Sequence, residues 1–126
     1  MKLIALRGEE PPDDTIVVIR AGERGLSDDT LRRTAQLSQT EFGFYGVSVF
    51  LTLDLDVADL CGSTDYLRRY SQIQESAAGQ IRSAGFAMLA TDARPHFDIV
   101  LAELEDDTLV RLRGCFGPPR PNPGRS

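Results

Sequence analysis

The chain has 126 residues, 41% of them hydrophobic, with 14 basic against 19 acidic side chains and a net charge of −5 at pH 7. That length suits one domain with a core of its own, and the negative balance disfavours nucleic acid as a partner, because binding to phosphate backbones draws on clustered cations. Two cysteines, Cys61 and Cys115, make neither a disulfide framework nor a C-x-x-C metal pair, and no apolar run nears the ~20 residues of a membrane span, so no membrane partner is expected.

In chain order, residues 2–6 and 15–20 are short runs of strand formers parted by a Gly-Glu-Glu-Pro-Pro-Asp-Asp loop, which predicts two N-terminal strands. Ser27 then offers a capping hydroxyl, Asp28 and Asp29 supply first-turn carboxylates, and Leu31, Ala35, Ser38 and Phe42 recur at helical spacing before Gly43. These predict a helix of about four turns. Residues 47–53 are β-branched and aromatic and read as a central strand, followed by a short helical turn around 57–61. The strongest periodicity comes next. Tyr66, Tyr70, Ile73, Ala77, Ile81 and Ala84 fall at intervals of three and four, predicting one long amphipathic helix over 63–84 that stops at Gly85. Residues 86–91 and 95–102 predict an antiparallel hairpin, with Phe97, Ile99 and Leu101 on one face of its second strand and His96, Asp98 and Val100 on the other. Asp106 and Asp107 open a last helix bearing Leu109, Leu112 and Phe116.

The expected architecture is α+β, a mixed, mainly antiparallel sheet of about five strands with about three helices packed on it. Residues 1–116 form the single domain, and the Pro-rich residues 117–126 form an extended or disordered tail. Residues 1–6 are too short for the apolar core of a secretory signal and are followed by Arg7, Glu9 and Glu10, so the protein is expected to be cytoplasmic, with both cysteines reduced.

Three constellations carry candidate chemistry. Residues 49–56 form a strand ending in Asp54-Leu55-Asp56, which resembles the nucleophile motif of haloacid-dehalogenase-type phosphatases, although Val57-Ala58 stand where that family has a glycine and a hydroxyl residue. Without the family, Asp56 reads as the cap of the following helical turn. Arg20 at a strand end, Ser48 on the central strand and Glu103-Leu104-Glu105 after the last strand resemble, in order and type, the arginine–serine–glutamate pattern of ADP-ribosyltransferases. That resemblance implies that Arg20 and Ser48 hold NAD or a related nucleotide while Glu105 polarises the ribose.

The third is His96, the single histidine, with Asp98 two residues on. Together they form a candidate oriented general base whose nucleophile, Cys61, Cys115, Ser48 or another hydroxyl, the sequence leaves open. Cofactors stay unassigned, since neither glycine pair, Gly22/Gly25 or Gly114/Gly117, has the spacing of a phosphate-cradling loop. No metal site is expected, because the acidic runs lack EF-hand spacing. The function expected is a small acidic cytoplasmic protein-binding domain, one half of a two-component pair such as a toxin–antitoxin or immunity system, with another protein as partner. The alternative is a small NAD- or nucleotide-acting enzyme.

Overall fold

The computed structural model describes residues 8–125. The strand expected at residues 2–6 lies outside them. In chain order the elements are β1 (Ile16–Ala21), α1 (Asp28–Phe42), β2 (Tyr45–Leu51), α2 (Val57–Ser63), α3 (Asp65–Arg68), β3 (Gln72–Ala77), α4 (Ala78–Ser83), β4 (Ala87–Leu89), β5 (His96–Leu101), α5 (Asp106–Arg113) and β6 (Arg120–Pro121). The expected α+β class holds, and among the described residues the six strands form one sheet in the order β4-β5-β2-β1-β3-β6 with every neighbouring pair antiparallel. Both edges are short, which limits unpaired backbone at the rims.

The sheet is apolar on one face and mixed on the other. Val17 and Ile19 of β1, Val47, Val49 and Leu51 of β2, and Phe97, Ile99 and Leu101 of β5 alternate onto one face and are buried under Leu31 and Ala35 of α1, Ile81 of α4, and Leu109 and Leu112 of α5. On the reverse face Val18, Phe50 and Ile73 form a second, smaller core with Leu60, Cys61 and Leu67 from α2 and α3. Those two helices cover only part of that face. The register places Ser48 opposite Asp98 and Phe50 opposite His96, so Ser48, His96 and Asp98 stand on the uncovered remainder.

α1 forms as its sequence predicts. The Ser27 hydroxyl accepts from the Thr30 amide at 3.1 Å, and Gly43, at φ 87°, closes the helix by donating to the Gln39 carbonyl. β1 and β3 register over six pairs, whereas β1 and β2 register only at Val17–Leu51 and Val18–Phe50. Past those pairs α1 hydrogen-bonds to β1 and to the residue before β2, with Thr34 accepting from Arg20 and Ser38 donating to the Phe44 carbonyl. A cleft opens where the ladder stops.

The long helix expected over 63–84 does not form, and three elements, α3, β3 and α4, take its place. β1 needs a partner on its free edge, and Gln72–Ala77 supplies one, with Ile73 and Glu75 toward the second core and Gln74 and Ser76 toward the first. Tertiary pairing thus overrides a periodicity that residues 73, 77 and 81 match by coincidence. Gly79 is there for a different reason: a Cβ would sit 2.8 Å from that of Asp13, whose carbonyl accepts the Gly79 amide at 2.9 Å. The Pro-rich segment is extended but strapped down. Gly117 donates to the Glu75 carbonyl, Arg120 forks onto the Glu75 carboxylate at 2.8 and 3.2 Å, and Asn122 is buried.

Candidate functional site

His96 opens β5 and faces β2 across the register, which brings its Nε2 to 3.1 Å from Ser48 Oγ. Its other ring nitrogen, Nδ1, lies 3.2 Å from the Thr91 carbonyl and 2.9 Å from Thr91 Oγ1. A carbonyl oxygen only accepts, so the hydrogen-bond partners assign the proton of the neutral ring to Nδ1 and leave the Nε2 lone pair to accept from Ser48. Thr91 in turn donates its hydroxyl to Asp98 Oδ2 at 2.6 Å. Both Thr91 and Asp98 are buried. Asp98 Oδ1 lies 3.5 Å from Ser48 Oγ, a weaker claim on that hydroxyl than the one His96 makes. The side chains therefore connect as carboxylate, threonine, imidazole and serine.

His96 is held by apolar contacts as well. Its ring meets Phe50 edge-on at 5.2 Å between centroids, Phe50 packs on Tyr66 at 5.7 Å, and Tyr66 on Tyr70 at 5.8 Å. Arg20 lies over the two tyrosines, its Cζ 5.7 Å from the Tyr66 ring and 5.4 Å from the Tyr70 ring, and donates through Nη2 to Thr34 at 3.0 Å. No carboxylate pairs with it among the described residues, and its buried Nε has no hydrogen-bond partner. The Tyr66 hydroxyl is a further hydrogen-bond partner of this guanidinium, which leaves Nε as its unsatisfied buried donor. Burial pushes the Tyr66 phenol above its ordinary range while the nearby Arg20 charge pulls it back, so Tyr66 keeps its proton at neutral pH and is a donor.

These groups share a cleft. A cavity of about 420 Å³ is bounded by Arg20, Ser48, Tyr66, His96 and Asp98, with Glu41 of α1 and Asp92 at its rim. Gly46 forms part of the floor, where a Cβ would stand 2.9 Å from Ser38 Oγ and 3.3 Å from Asp98 Oδ1. Asp92 turns the chain into the hairpin at φ 53°, a left-handed conformation that aspartate tolerates better than most residues.

The structure thus brings together four of the five sequence candidates, Arg20, Ser48, His96 and Asp98. Glu105 is placed elsewhere. It is the exposed N-cap of α5, its carboxylate makes no capping bond, and its neighbours Leu104 and Asp106 are held by Arg32. Arg32 and Thr34 lie about 200° apart around α1, so Arg20 and the start of α5 are on opposite sides of that helix. Asp54 pairs with Arg94 at 2.7 Å, and Asp56 caps α2 through the Asp59 amide at 2.9 Å, so both motif aspartates have structural partners. Among the described residues no cluster of three potential metal ligands occurs. Thr91, Tyr66 and Tyr70 enter the site without a signal in the sequence, since the spacing of the tyrosines places them in the stripe of the long helix expected over 63–84. Comparison with family models, with curated proteins and with solved structures returns no match to this chain.

Proposed function

We propose that the protein is a small enzyme that acts on an ester of an anionic small molecule, with Ser48 as nucleophile, His96 as general base and Arg20 as anchor for the anion. The observation that carries this reading is the 3.1 Å contact between Ser48 Oγ and His96 Nε2, combined with the fixing of Nδ1 by Thr91. In the first step Ser48 Oγ forms a bond to the electrophilic centre as its proton passes to His96 Nε2. The leaving oxygen then takes that proton from the imidazolium. Water, deprotonated by the same nitrogen, releases the bound group and restores the serine. Negative charge that develops on the ester oxygen is met by a donor on the adjoining wall, the Tyr66 hydroxyl. Of the two functions expected from sequence, this develops the enzyme alternative, without Glu105.

The test is reaction with a fluorophosphonate probe, followed by mass analysis of the modified peptide. Modification at Ser48, lost in Ser48→Ala and in His96→Gln, is the expected result. No modification in the wild-type chain, or modification that survives His96→Gln, would overturn it.

No helix among the described residues is long and apolar enough to cross a membrane. The proposed setting is the cytoplasm, which suits two cysteines that are both free and buried. A docking function, as half of a toxin–antitoxin or immunity pair, rests on a separate observation: Leu37 is 62% exposed on the cleft rim. Under that reading Leu37→Asp abolishes a stoichiometric complex and leaves Ser48 modification unchanged.

A further inference from the structure

Beyond Arg20 the cleft continues into a second cavity of about 400 Å³, between α1 and the turn from Gly22 to Gly25. Arg20, Arg33 and Tyr70 are among the residues lining it, and no acidic residue is. Six of the twelve arginines among the described residues pair with an acid: Arg32 meets Asp106, Arg68 meets Asp65, Arg82 meets Asp13, Arg94 meets Asp54, Arg113 meets Asp28 and Arg120 meets Glu75. Arg20 and Arg33 have no such partner among the described residues, and they face the same cavity.

The opposite end of the cleft carries the acids, Glu41, Asp92 and Asp98. A ligand that spans the cleft is therefore sorted by charge, its anion at the Arg20–Arg33 end and its reacting group beside Ser48. Two forked guanidiniums with no competing carboxylate suit a dianion with several acceptor oxygens. The cavity's size and the protein's overall negative charge favour a small molecule over a nucleic-acid strand, which needs a long cationic track.

We infer that the Arg20–Arg33 end of the cleft is a phosphate subsite, and that the ligand is a phosphomonoester such as a nucleoside monophosphate or its ester conjugate. The inference deepens the enzymatic reading by naming its substrate class and rests on it only for the position of the reacting group.

The experiment titrates the full chain with AMP, adenosine and inorganic phosphate, following binding by calorimetry and the melting temperature. AMP is expected to bind at least tenfold more tightly than adenosine. Inorganic phosphate should raise the melting temperature of the wild type and not that of Arg33→Gln, a change at an exposed position that leaves the core intact. Arg33→Gln should weaken AMP at least tenfold, whereas Ser48→Ala should leave its affinity within about twofold. Equal affinity for AMP and adenosine, absence of binding by both, or wild-type affinity in Arg33→Gln would overturn the subsite. So would an equal, Arg33-dependent effect of acetate, which would make the group a carboxylate receptor. AMP binding that persists in a chain with no reactivity at Ser48 would end the catalytic proposal and leave the subsite standing.

Discussion

The side-chain amide of Asn122 donates to the Tyr70 carbonyl at 2.9 Å, and to that of Leu67 at 2.8 Å, so the Pro-rich segment fixes the turn that carries the two tyrosines beside Arg20. Asn122 is 4% exposed, its own amide donates to the Ser71 carbonyl, and its side-chain oxygen accepts from Gly124. The first three of these bonds hold α3, the residues before β3 and the strap together, and the fourth closes a turn within the strap.

Asn122→Ala removes both donated bonds and leaves the buried Leu67 carbonyl without this donor, which is expected to cost about 2–3 kcal/mol. In a chain of this size that lowers the melting temperature by several degrees, and removal of residues 117–126 lowers it further. Thermal unfolding of the two variants checks this. A change within a degree would mean that the segment contributes nothing to the fold.

Cys61 lies wholly buried beneath the strap, and burial pushes its thiol up to about 11 from 9.0, partly opposed by the Arg120 charge. The unfolded chain loses this proton first as pH rises, so above pH 9 the unfolded state binds fewer protons than the folded state. Stability from this group is therefore complete below pH 9 and declines toward pH 11. Chemical denaturation across that window should show a decline that is shallower in Cys61→Ala. Iodoacetamide at pH 8 should modify neither cysteine in the folded protein and both in urea, because burial raises Cys115 as well. Rapid modification of Cys61 in the native state would contradict its placement.

What the sequence revealed and concealed follows one physical division. α1 was legible because every signal is local: a serine cap, two first-turn aspartates, a 3.6-residue apolar stripe and a glycine stop. β5 was legible because Phe97, Ile99 and Leu101 alternate onto one face of a short run of strand formers. β3 was not, because its identity depends on the free edge of β1, more than fifty residues earlier, and its own residues are polar enough to pass as a helix surface. The site divides in the same way. His96 and Asp98 share a strand face by spacing alone, whereas Ser48 joins them only through the β2–β5 register. Thr91 depends on the fold of the hairpin turn, and the position of Glu105 depends on which side of α1 the last helix packs.

Glu105→Gln is expected to leave both the Ser48 reaction and AMP binding unchanged. Its carboxylate stands at the N-terminus of α5 without a hydrogen bond to the helix, so its loss costs about 0.3–1 kcal/mol of dipole interaction at most. Kinetics of probe modification beside a thermal melt would separate the two effects. A loss of reactivity with an unchanged melt would restore Glu105 to the site and with it the resemblance to ADP-ribosyltransferases.

Thr91 is the link whose removal tests the whole arrangement. It is 1% exposed, and its hydroxyl bridges the Asp98 carboxylate and the His96 ring, so it acts on the reaction through His96 without touching the ligand itself. Thr91→Val keeps the shape of the side chain and deletes the bridge. The imidazole then loses one of its two Nδ1 partners, and the Asp98 charge no longer reaches the imidazolium through a hydrogen bond. The maximal rate of Ser48 modification by the probe should fall tenfold or more, within the range that a positioned proton-transfer group contributes. The probe concentration for half-maximal rate should stay the same, because the groups that hold the probe are intact. Thr91→Ser restores the hydroxyl and should recover most of the rate. Equal rates in the valine and wild-type chains would show that His96 is oriented by the backbone carbonyl and by Phe50 alone. An equal loss in the serine and valine variants would point to a packing role, with the hydroxyl incidental.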